Sequence, residues 1–418
     1  MNMLDRAALA AALAFAGLMA GCGGEDTVAV DPPPLPANPA TPGTASRPQL
    51  SDSEAQAFVP GAYFEKAGAL GTDGSTLTLD PWTPPAVGDV ASFTPTFVVA
   101  ADGSGTHTGL QAAFDAVPAA GAGVARTYIL VKPGTYRGVA CANGKGPITL
   151  YGAGPDAAAV VFVAGHYNGE AKAAGVPANP CNPNAAGLTY GTSGSATVAV
   201  YSNDFHARNI TFANDATKTV VNGAGYPAGA SGNSGAQAVA LMTQGDKLVF
   251  ENVRVSSHQD SLYVKTANAG TVSRAFFLDS LVEGDVDFVF GRGTAVFQNC
   301  EIRYLSTRLP VGASTAMVAP STAPRQAFGF LFVRSRFTAD AGAVPGTIFL
   351  GRAWDEGVNS TTNPYVAGTS PNGQLLVRDS TIGAHVKTDA PWTTSTSGRV
   401  WTAEGNRFAE HRNAVLKP

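Results

Sequence analysis

The sequence predicts an all-β fold, a right-handed, single-stranded parallel β-helix. Three polar positions recur along the chain between apolar, β-forming residues: Gln237, the pair Gln259 and Asp260, and Asp287. The apolar neighbours of Asp260 and Asp287 predict that both lie in strand settings. Asp260 lies 23 residues after Gln237, and Asp287 lies 27 residues after Asp260. These spacings approach one turn, or coil, of a β-helix, which takes about 20–25 residues. Because stacked coils lie about 4.8 Å apart, we expect the two Asp side chains to be neighbours on one outer face.

A recurring phrase supports the same fold. It has apolar residues around a small or polar centre and reads FHARNITF, LVFENVRV, FFLDSLV, AVFQNCEI, FLFVRSRF and LLVRDSTI. The 48 glycines are spread through the chain, as expected for many tight turns between short strands. A β-sandwich or a propeller is the rival all-β architecture, but propeller blades repeat more regularly.

Composition excludes several classes of protein. Of 418 residues, 44% are hydrophobic and 14% are charged, which suits a large core and argues against disorder. The net charge of −4 and the absence of a Lys/Arg run argue against a nucleic-acid partner. A negatively charged substrate would therefore have to be bound by individual residues of its site rather than by a positive surface of the whole protein. The six His residues are scattered, with no metal-ligand spacing, so we expect no metal and no cofactor.

The first residues are typical of an exported protein. Residues 1–21 carry one basic residue and then an apolar run that is short for a membrane span. Their ending before Cys22 resembles a bacterial lipoprotein signal, in which that Cys is lipidated. Gly23 after it resembles the outer-membrane sorting pattern, so we expect anchoring to the outer membrane, on either face. A cleaved signal with an incidental Cys is the alternative.

The rest of the chain divides into a tether and a folded domain. Residues 22–50 are Pro-rich, poor in large apolar side chains, and expected to be an extended tether. The domain is predicted over 51–418, as a monomer. The sequence from Ser51 to Glu54 matches a capping box, so a short N-terminal capping helix is expected to open it.

Helix, loop and disulfide predictions follow from local patterns. THTGLQAAFDAVPAAG is predicted to form a short amphipathic helix. Three Gly/Asn/Pro/Ser-rich insertions are expected to wall a cleft, with solvated loops as the alternative; they span residues 165–196, 215–235 and 355–374. A disulfide between Cys141 and Cys181 is a hypothesis that export permits.

The polar groups suggest hydrolytic chemistry. Like charges a few Å apart resist joint ionisation, so Asp260 and Asp287 are predicted to divide into a protonated acid and an anionic nucleophile. Amide N–H groups of Gln237 and Gln259 are suited to hold an oxyanion. Arg352 is a fixed cation that keeps one carboxylate ionised. The residues alone leave open which Asp attacks.

At these residues the chain resembles the pectin methylesterases, in their bacterial lipoprotein branch. The matching motifs are QAVAL (237–241), HQDSLY (258–263), EGDVDFVFG (283–291) and LGRAW (350–354). Weaker matches extend the resemblance over about residues 95–413. Two departures are mild: Ser261 stands where Thr is usual, and Ala353 stands where Pro is usual.

The resemblance implies a role for each polar group. Asp287 is the nucleophile on the C6 methyl-ester carbonyl of pectin or an oligogalacturonide. Asp260 protonates the departing methanol and then activates water. Gln237 and Gln259 stabilise the tetrahedral anion, and Arg352 orients Asp287 and keeps it ionised.

Other positions follow from the same resemblance. Tyr263, Phe290 and Trp354 are expected to line the sugar-binding groove. Ser280 stands where many members have a Cys that bridges to the position of Cys300, so that bond is expected to be missing. Cys300 lies inside one of the recurring phrases and is expected to be a small, buried hydrophobic residue.

Three rival functions remain to be weighed. A lyase or polygalacturonase would need a calcium-binding carboxylate cluster or several Asp with a Gly-His-Gly-like site, and neither pattern is visible. A thioesterase-like or carbohydrate-binding relative would be favoured by loss of the Gln259–Asp260 pair, which is present. A purely structural surface solenoid leaves the four motifs unexplained.

Overall fold

The chain winds into the predicted right-handed parallel β-helix, whose coils stack three parallel sheets around one core. The computed structural model describes residues 43–70, 77–181, 186–359 and 361–417, all within one compact unit. The predicted signal, Cys22 and most of the predicted tether lie outside the described residues. No helix of the described part is long and apolar enough to cross a membrane.

Sheet 1 carries the polar motifs and has eight short strands. In order along the solenoid they are Ala140–Ala142, Val198–Val200, Leu241–Thr243, Leu262–Val264, Val289–Gly291, Ala316–Pro320, Phe349–Arg352 and Trp392–Thr393.

Sheets 2 and 3 complete each coil. Sheet 2 contains Phe97–Val99, Thr127–Val131, Ile148–Gly152, Arg274–Leu278, Thr294–Gln298, Phe330–Val333, Gln374–Arg378 and Arg407–His411. Sheet 3 contains Gly134–Arg137, Val160–Ala164, Leu281–Gly284, Glu301–Tyr304, Arg336–Ala339, Thr381–Ile382 and Ala414–Val415. The long strands Phe205–Asn214 and Leu248–Ser256 run through both sheets, with their first halves in sheet 2.

The recurring phrase is the corner between sheets 2 and 3. One residue per coil there adopts a left-handed backbone with φ between 49° and 58°: Asn209, Asn252, Asp279, Asn299, Arg334, Asp379 and Arg412. Asn and Asp tolerate this conformation better than most residues. Their side chains also bond between coils, as in Asn252 Nδ2 to Asn209 Oδ1 at 2.8 Å. The polar centre of each phrase is therefore the turn of the solenoid.

An aromatic stack fills the core beneath this corner. Phe250, Phe277, Phe297 and Phe332 are in register on successive coils of sheet 2. Their ring centroids are 4.7, 4.8 and 4.5 Å apart, with interplanar angles of 10°, 12° and 9°. Because these distances match the spacing of strands, the backbone ladder and the ring stacking reinforce each other.

The first described residues cover the flank of the solenoid. Ser51 caps a one-turn helix, Asp52–Ala55, through the predicted capping box. A second single-turn helix, Pro60–Tyr63, follows, and Tyr63 packs on the outer face of sheet 2. A small antiparallel sheet of Lys66–Ala69, Thr78–Leu79 and Thr271–Val272 lies beyond.

Residues 43–50, at the end of the predicted tether, are part of this cover. Arg47 Nε lies 2.8 Å from Glu410 Oε1, and the Leu50 N–H donates to the Glu410 carbonyl at 2.8 Å. Residues just before position 51 therefore contact the last coils of the solenoid.

Four further helical elements of the described residues are short. The predicted amphipathic helix is Leu110–Ala116, which packs Phe114 into the core near the first coils. Gly191–Gly194 is an α-helical turn within the first insertion, and 3-10 turns span Val90–Ser92 and Ala157–Ala159.

The three cysteines of the described residues have the predicted arrangement. A disulfide joins Cys141 on sheet 1 to Cys181 in the first insertion, with Cα atoms 5.7 Å apart, within the usual range. Cys300 is a free thiol in the core, and burial raises its pKa to about 12. Ser280 accepts a hydrogen bond from the Val253 N–H instead of forming a disulfide.

Candidate active site

Asp260 and Asp287 lie side by side on adjacent coils, as their spacing predicts. Each comes two residues before a strand of sheet 1, and those strands pair Leu262 with Val289. The Asp260 N–H donates to the Val286 carbonyl at 3.1 Å, so the two coils are joined at the site. Both carboxylates line one groove and are only 7% exposed.

The local backbone at these two residues differs from the prediction. Their apolar neighbours suggested strand positions, but both residues have left-handed backbones, with φ of 64° at Asp260 and 47° at Asp287. That prediction is wrong because each Asp ends the turn that leads into sheet 1. Asp is one of the residues that tolerate a left-handed backbone, as at the corner between sheets 2 and 3. Here it occurs at the same place on two consecutive coils.

Arg352 holds Asp287 through a two-pronged ion pair. Its Nη2 lies 2.6 Å from Asp287 Oδ2, and its Nε lies 2.9 Å from Oδ1. The fork geometry matches a carboxylate and fixes its orientation. The charge of Asp287, in turn, raises the pKa of Arg352.

Arg352 reaches Asp287 across one intervening coil. The strand Phe349–Arg352 pairs with Ala316–Pro320, which pairs with Val289–Gly291. The intervening strand presents the small side chain of Ala319 in the groove. A larger residue there would obstruct the guanidinium, so a small residue is part of how the ion pair forms.

Asp260 is the carboxyl whose surroundings favour the protonated form. Burial, and then the negative charge of Asp287, raises the pKa of Asp260 well above its usual value. Arg352 and Arg308 oppose this rise, and Asp285 adds to it. Since Arg352 forms hydrogen bonds with Asp287, the pair divides into a neutral acid and a carboxylate held by a cation.

Gln237 and Gln259 lie in the same groove and share one anchor. The Nε2 groups of both amides donate to the main-chain carbonyl of Asn233, at 3.4 Å from Gln237 and 3.2 Å from Gln259. A carbonyl only accepts hydrogen bonds, so Asn233 selects the amide orientation that presents Nε2. Each Nε2 keeps a second hydrogen for a ligand in the groove.

An aromatic cluster forms one wall of this groove. Tyr263 and Phe290 pair directly on adjacent strands and stack with ring centroids 4.2 Å apart. Trp354 packs against both, with centroids 5.8 Å from Tyr263 and 5.4 Å from Phe290. Trp354 is the most exposed of the three. Tyr263 and Phe290 thus support the face that Trp354 presents.

The insertions supply further residues of the groove lining. Tyr190, Thr192 and Ser193 of the first insertion and Asn233 of the second line the groove, and Glu356 of the third closes part of it. The cavity volume is about 540 Å³. The prediction that these insertions wall a cleft is therefore confirmed.

Sequence reasoning missed Tyr190 and the Arg308–Asp285 pair. The Tyr190 ring stacks on the His166 ring with centroids 4.1 Å apart, and this stacking fixes the orientation of the Tyr190 ring. Asp285 and Arg308 form a fully buried ion pair beside the groove. Tyr190 and Arg308 lie in irregular segments without a repeat. The only sequence signal for Asp285 was its place two residues before Asp287.

No group of three or more His, Cys, Asp or Glu side chains in the described residues is arranged to hold a metal ion. The groove combines an ion-paired carboxylate, a carboxyl with a raised pKa and two amide donors. These groups suit covalent hydrolysis of an ester.

Comparisons with known proteins agree with this chemistry. The family described as Pectinesterase matches residues 96–362. The fold and the site, with this match, define a carboxylic ester hydrolase on a parallel β-helix. A pectinesterase of Ralstonia solanacearum is 42% identical over 377 residues, covering 88% of this chain and 91% of the relative. The chain belongs to the pectinesterase family.

Two further similarities bear on fold and function. The solved structure of rice weevil pectin methyl esterase has a TM-score of 0.72 at 29% identity, covering 90% of this chain and 99% of that one. A putative acyl-CoA thioester hydrolase of Escherichia coli, YbhC, is 32% identical over 426 residues, covering 94% of this chain and 88% of the relative. The fold is therefore shared by relatives named for two kinds of ester.

Proposed function

We propose that the chain removes methyl esters from C6 of galacturonate units in pectin or methylated oligogalacturonides, releasing methanol. The observation that carries this proposal is that two adjacent carboxyl groups have different environments, which favour the ionised form of one and the protonated form of the other. Asp287 is held by the Arg352 fork at 2.6 Å, while burial keeps Asp260 protonated beside it. A nucleophile and an acid are thus present together in one groove.

The first half of the reaction uses both carboxyls. A carboxylate oxygen of Asp287 attacks the C6 carbonyl carbon and forms a tetrahedral anion. The second hydrogens on Nε2 of Gln237 and Gln259 stabilise its oxygen. As the carbon–oxygen bond to the methoxy group breaks, Asp260 gives its proton to that oxygen and methanol leaves. The product is an anhydride between Asp287 and the galacturonate.

The second half reverses the role of Asp260. Now ionised, it takes a proton from water as the water oxygen attacks the C6 carbonyl of the anhydride. The bond to Asp287 breaks, which releases galacturonate and restores the carboxylate to Arg352. Asp260 is protonated again and the cycle closes without a cofactor.

The walls of the groove suit a sugar polymer. Trp354, supported by Tyr263 and Phe290, offers a flat apolar face for a pyranose ring. Tyr190 also lines the groove, where the ring stack with His166 fixes it. Aromatic faces combine large contact area with defined geometry. We therefore assign substrate binding to these rings.

The test is methanol release from methyl-esterified pectin by the folded domain, beside Asp287→Asn. We expect the wild type to release methanol and the variant to lose several orders of magnitude in kcat, as removal of a covalent nucleophile does. Asp279→Asn is the matched control, because Asp279 also has a left-handed backbone but lies at the corner between sheets 2 and 3. Equal rates for Asp287→Asn and the wild type would remove Asp287 from the mechanism.

A thioester substrate is the second candidate, favoured by the similarity to the putative acyl-CoA thioester hydrolase. The same carboxylates are able to attack a thioester carbonyl. Hydrolysis of acyl-CoA, followed through release of free thiol, distinguishes the two. A folded protein that cleaves acyl-CoA and leaves pectin esters intact would favour the thioester function.

We also propose that Cys22 is lipidated after removal of residues 1–21 and anchors the enzyme, as a monomer, to the outer membrane. The support is the sequence around Cys22, and the segment up to position 42 is long enough to separate enzyme and lipid. Palmitate labelling of the full chain and of Cys22→Ser, with membrane fractionation, tests the anchor. Sedimentation of the folded domain tests the monomer.

A further inference from the structure

Arg308 and Asp285 form an ion pair from which water is excluded. Both side chains are 0% exposed. Arg308 Nε lies 2.5 Å from Asp285 Oδ2 and its Nη2 lies 2.7 Å from Oδ1. A buried pair is costly to desolvate and is weak evidence of stabilisation by itself.

The remaining nitrogen of Arg308 holds the second insertion. Its Nη1 donates to the main-chain carbonyl of Gly232 at 2.7 Å and to the Tyr226 hydroxyl at 3.2 Å. The carbonyl of Gly232 belongs to the peptide that precedes Asn233. The carbonyl of Asn233, one peptide further on, accepts the amides of both Gln237 and Gln259.

The same segment has little freedom to take another path. A Cβ placed on Gly235 would clash with the Gly229 carbonyl oxygen, and one on Gly229 would clash with the Gly169 carbonyl oxygen. The Ser231 and Ser234 N–H groups donate to each other's carbonyls at 2.9 Å. The loop is a closely packed hairpin, and the Arg308 contact joins its tip to the solenoid.

We propose that the Arg308–Asp285 pair is a positioning device for the two amides that bind the oxyanion, acting through the Gly232–Asn233 peptide. The inference rests on the proposed function, since it concerns the oxyanion of that reaction. Nε and Nη2 of Arg308 donate to the Asp285 carboxylate, which fixes the guanidinium. The remaining nitrogen, Nη1, donates to the Gly232 carbonyl and so fixes the Gly232–Asn233 peptide. The Asn233 carbonyl then sets the direction of Nε2 on Gln237 and Gln259.

Two sets of variants test this. Arg308→Lys keeps a cation opposite Asp285 but lacks the fork needed to hold Asp285 and Gly232 together. The double variant Arg308→Met with Asp285→Leu removes both charges, so neither is left buried without a partner. For both we expect kcat to fall roughly ten- to hundredfold, as misplacement of a group by about 1 Å does, with little change in KM.

Arg274→Lys is the matched control. Arg274 is also 0% exposed and pairs with Asp246 and Asp80, on the flank of the solenoid away from the groove. This variant is expected to lower thermal stability and leave kcat unchanged. A fall in kcat equal to that of Arg308→Lys would mean that any loss of a buried fork lowers activity, and would overturn the inference.

A double-mutant cycle separates positioning from general damage. On a Gln259→Ala background only one amide remains to be positioned, so the effect of Arg308→Lys on kcat should shrink about threefold or more. An equal effect in both backgrounds would overturn the inference.

Hydrogen exchange supplies a readout that does not depend on turnover. In Arg308→Lys and in the double variant, backbone amides of residues 226–237 should exchange faster than in the wild type, while sheet 2 is unchanged. Wild-type exchange in this segment would overturn the inference even where pectin is not the substrate. Absence of methanol release by the wild type would count against the proposed function instead.

Discussion

Asp260→Asn removes a transferable proton from the groove and changes little else. Because burial and the charge of Asp287 raise the pKa of Asp260, the native side chain is neutral, and an Asn side chain has the same shape and charge. Methoxide is a strongly basic leaving group, so its departure needs that proton. General acids contribute about 10²–10⁴-fold, and kcat on methyl esters should fall by that factor, with KM within about threefold of the wild type.

An activated ester makes this prediction sharper. In a p-nitrophenyl ester of an oligogalacturonide, the leaving group is p-nitrophenolate, which departs without needing a proton. Asp287 should therefore still attack this ester in the variant. The amide that replaces the Asp260 carboxyl, however, has no means of taking a proton from water, and the anhydride on Asp287 should persist. We expect one rapid equivalent of p-nitrophenol per enzyme, then no turnover. Steady hydrolysis of the methyl ester within about tenfold of the wild type, or no burst from a folded variant, would refute the reasoning.

The same substitution alters the pH dependence of stability. The pKa of Asp260 is raised in the folded protein above its ordinary value of 3.8. Its contribution is therefore complete below that value and is lost as pH rises through the higher folded pKa. An Asn side chain does not titrate, so Asp260→Asn lacks this loss. The free energy of unfolding of the variant, relative to that of the wild type, should therefore increase as pH rises. Urea unfolding at several pH values measures the difference.

The other predictions concern the ion pair, the wall and the core. Arg352→Lys should lower kcat about ten- to hundredfold with little change in KM, since one charge-assisted hydrogen bond of about 1.5–3 kcal/mol is lost; steady-state kinetics on pectin checks this. Tyr190→Ala should raise KM several-fold, because an aromatic contact contributes about 0.5–1.5 kcal/mol, while Leu188→Ala, exposed nearby in the same insertion, should not. Phe277→Ala should lower the free energy of unfolding by about 3–5 kcal/mol, measured by urea titration, because its ring lies between two stacked neighbours.

The architecture was predictable because each coil repeats the same physical requirements. The phrase that contains Asn209 and Asn252 must supply apolar residues for the core and one residue suited to a left-handed backbone, so it is visible without an alignment. The spacing of Asp260 and Asp287 follows from coil length. Their roles came from the resemblance, since spacing alone does not say which carboxyl Arg352 holds.

The residues that sequence reasoning missed lie where no period operates. Tyr190 belongs to an insertion, and its place in the groove lining depends on packing such as its stack on His166. The Asn233 carbonyl is a main-chain atom, which carries no side-chain signature in the sequence. Such contacts depend on three-dimensional loop paths, which local propensity does not determine.

The hydrogen bond from the Asp260 N–H to the Val286 carbonyl has a consequence for how such enzymes diverge. It joins the main chains of two adjacent coils directly. Main-chain hydrogen bonding between coils, rather than the path of an insertion, therefore sets the separation of acid and nucleophile. Coils added or lost at either end of the solenoid would lengthen or shorten the groove and leave that separation unchanged. The length of polymer accommodated and the ester chemistry are therefore free to evolve independently.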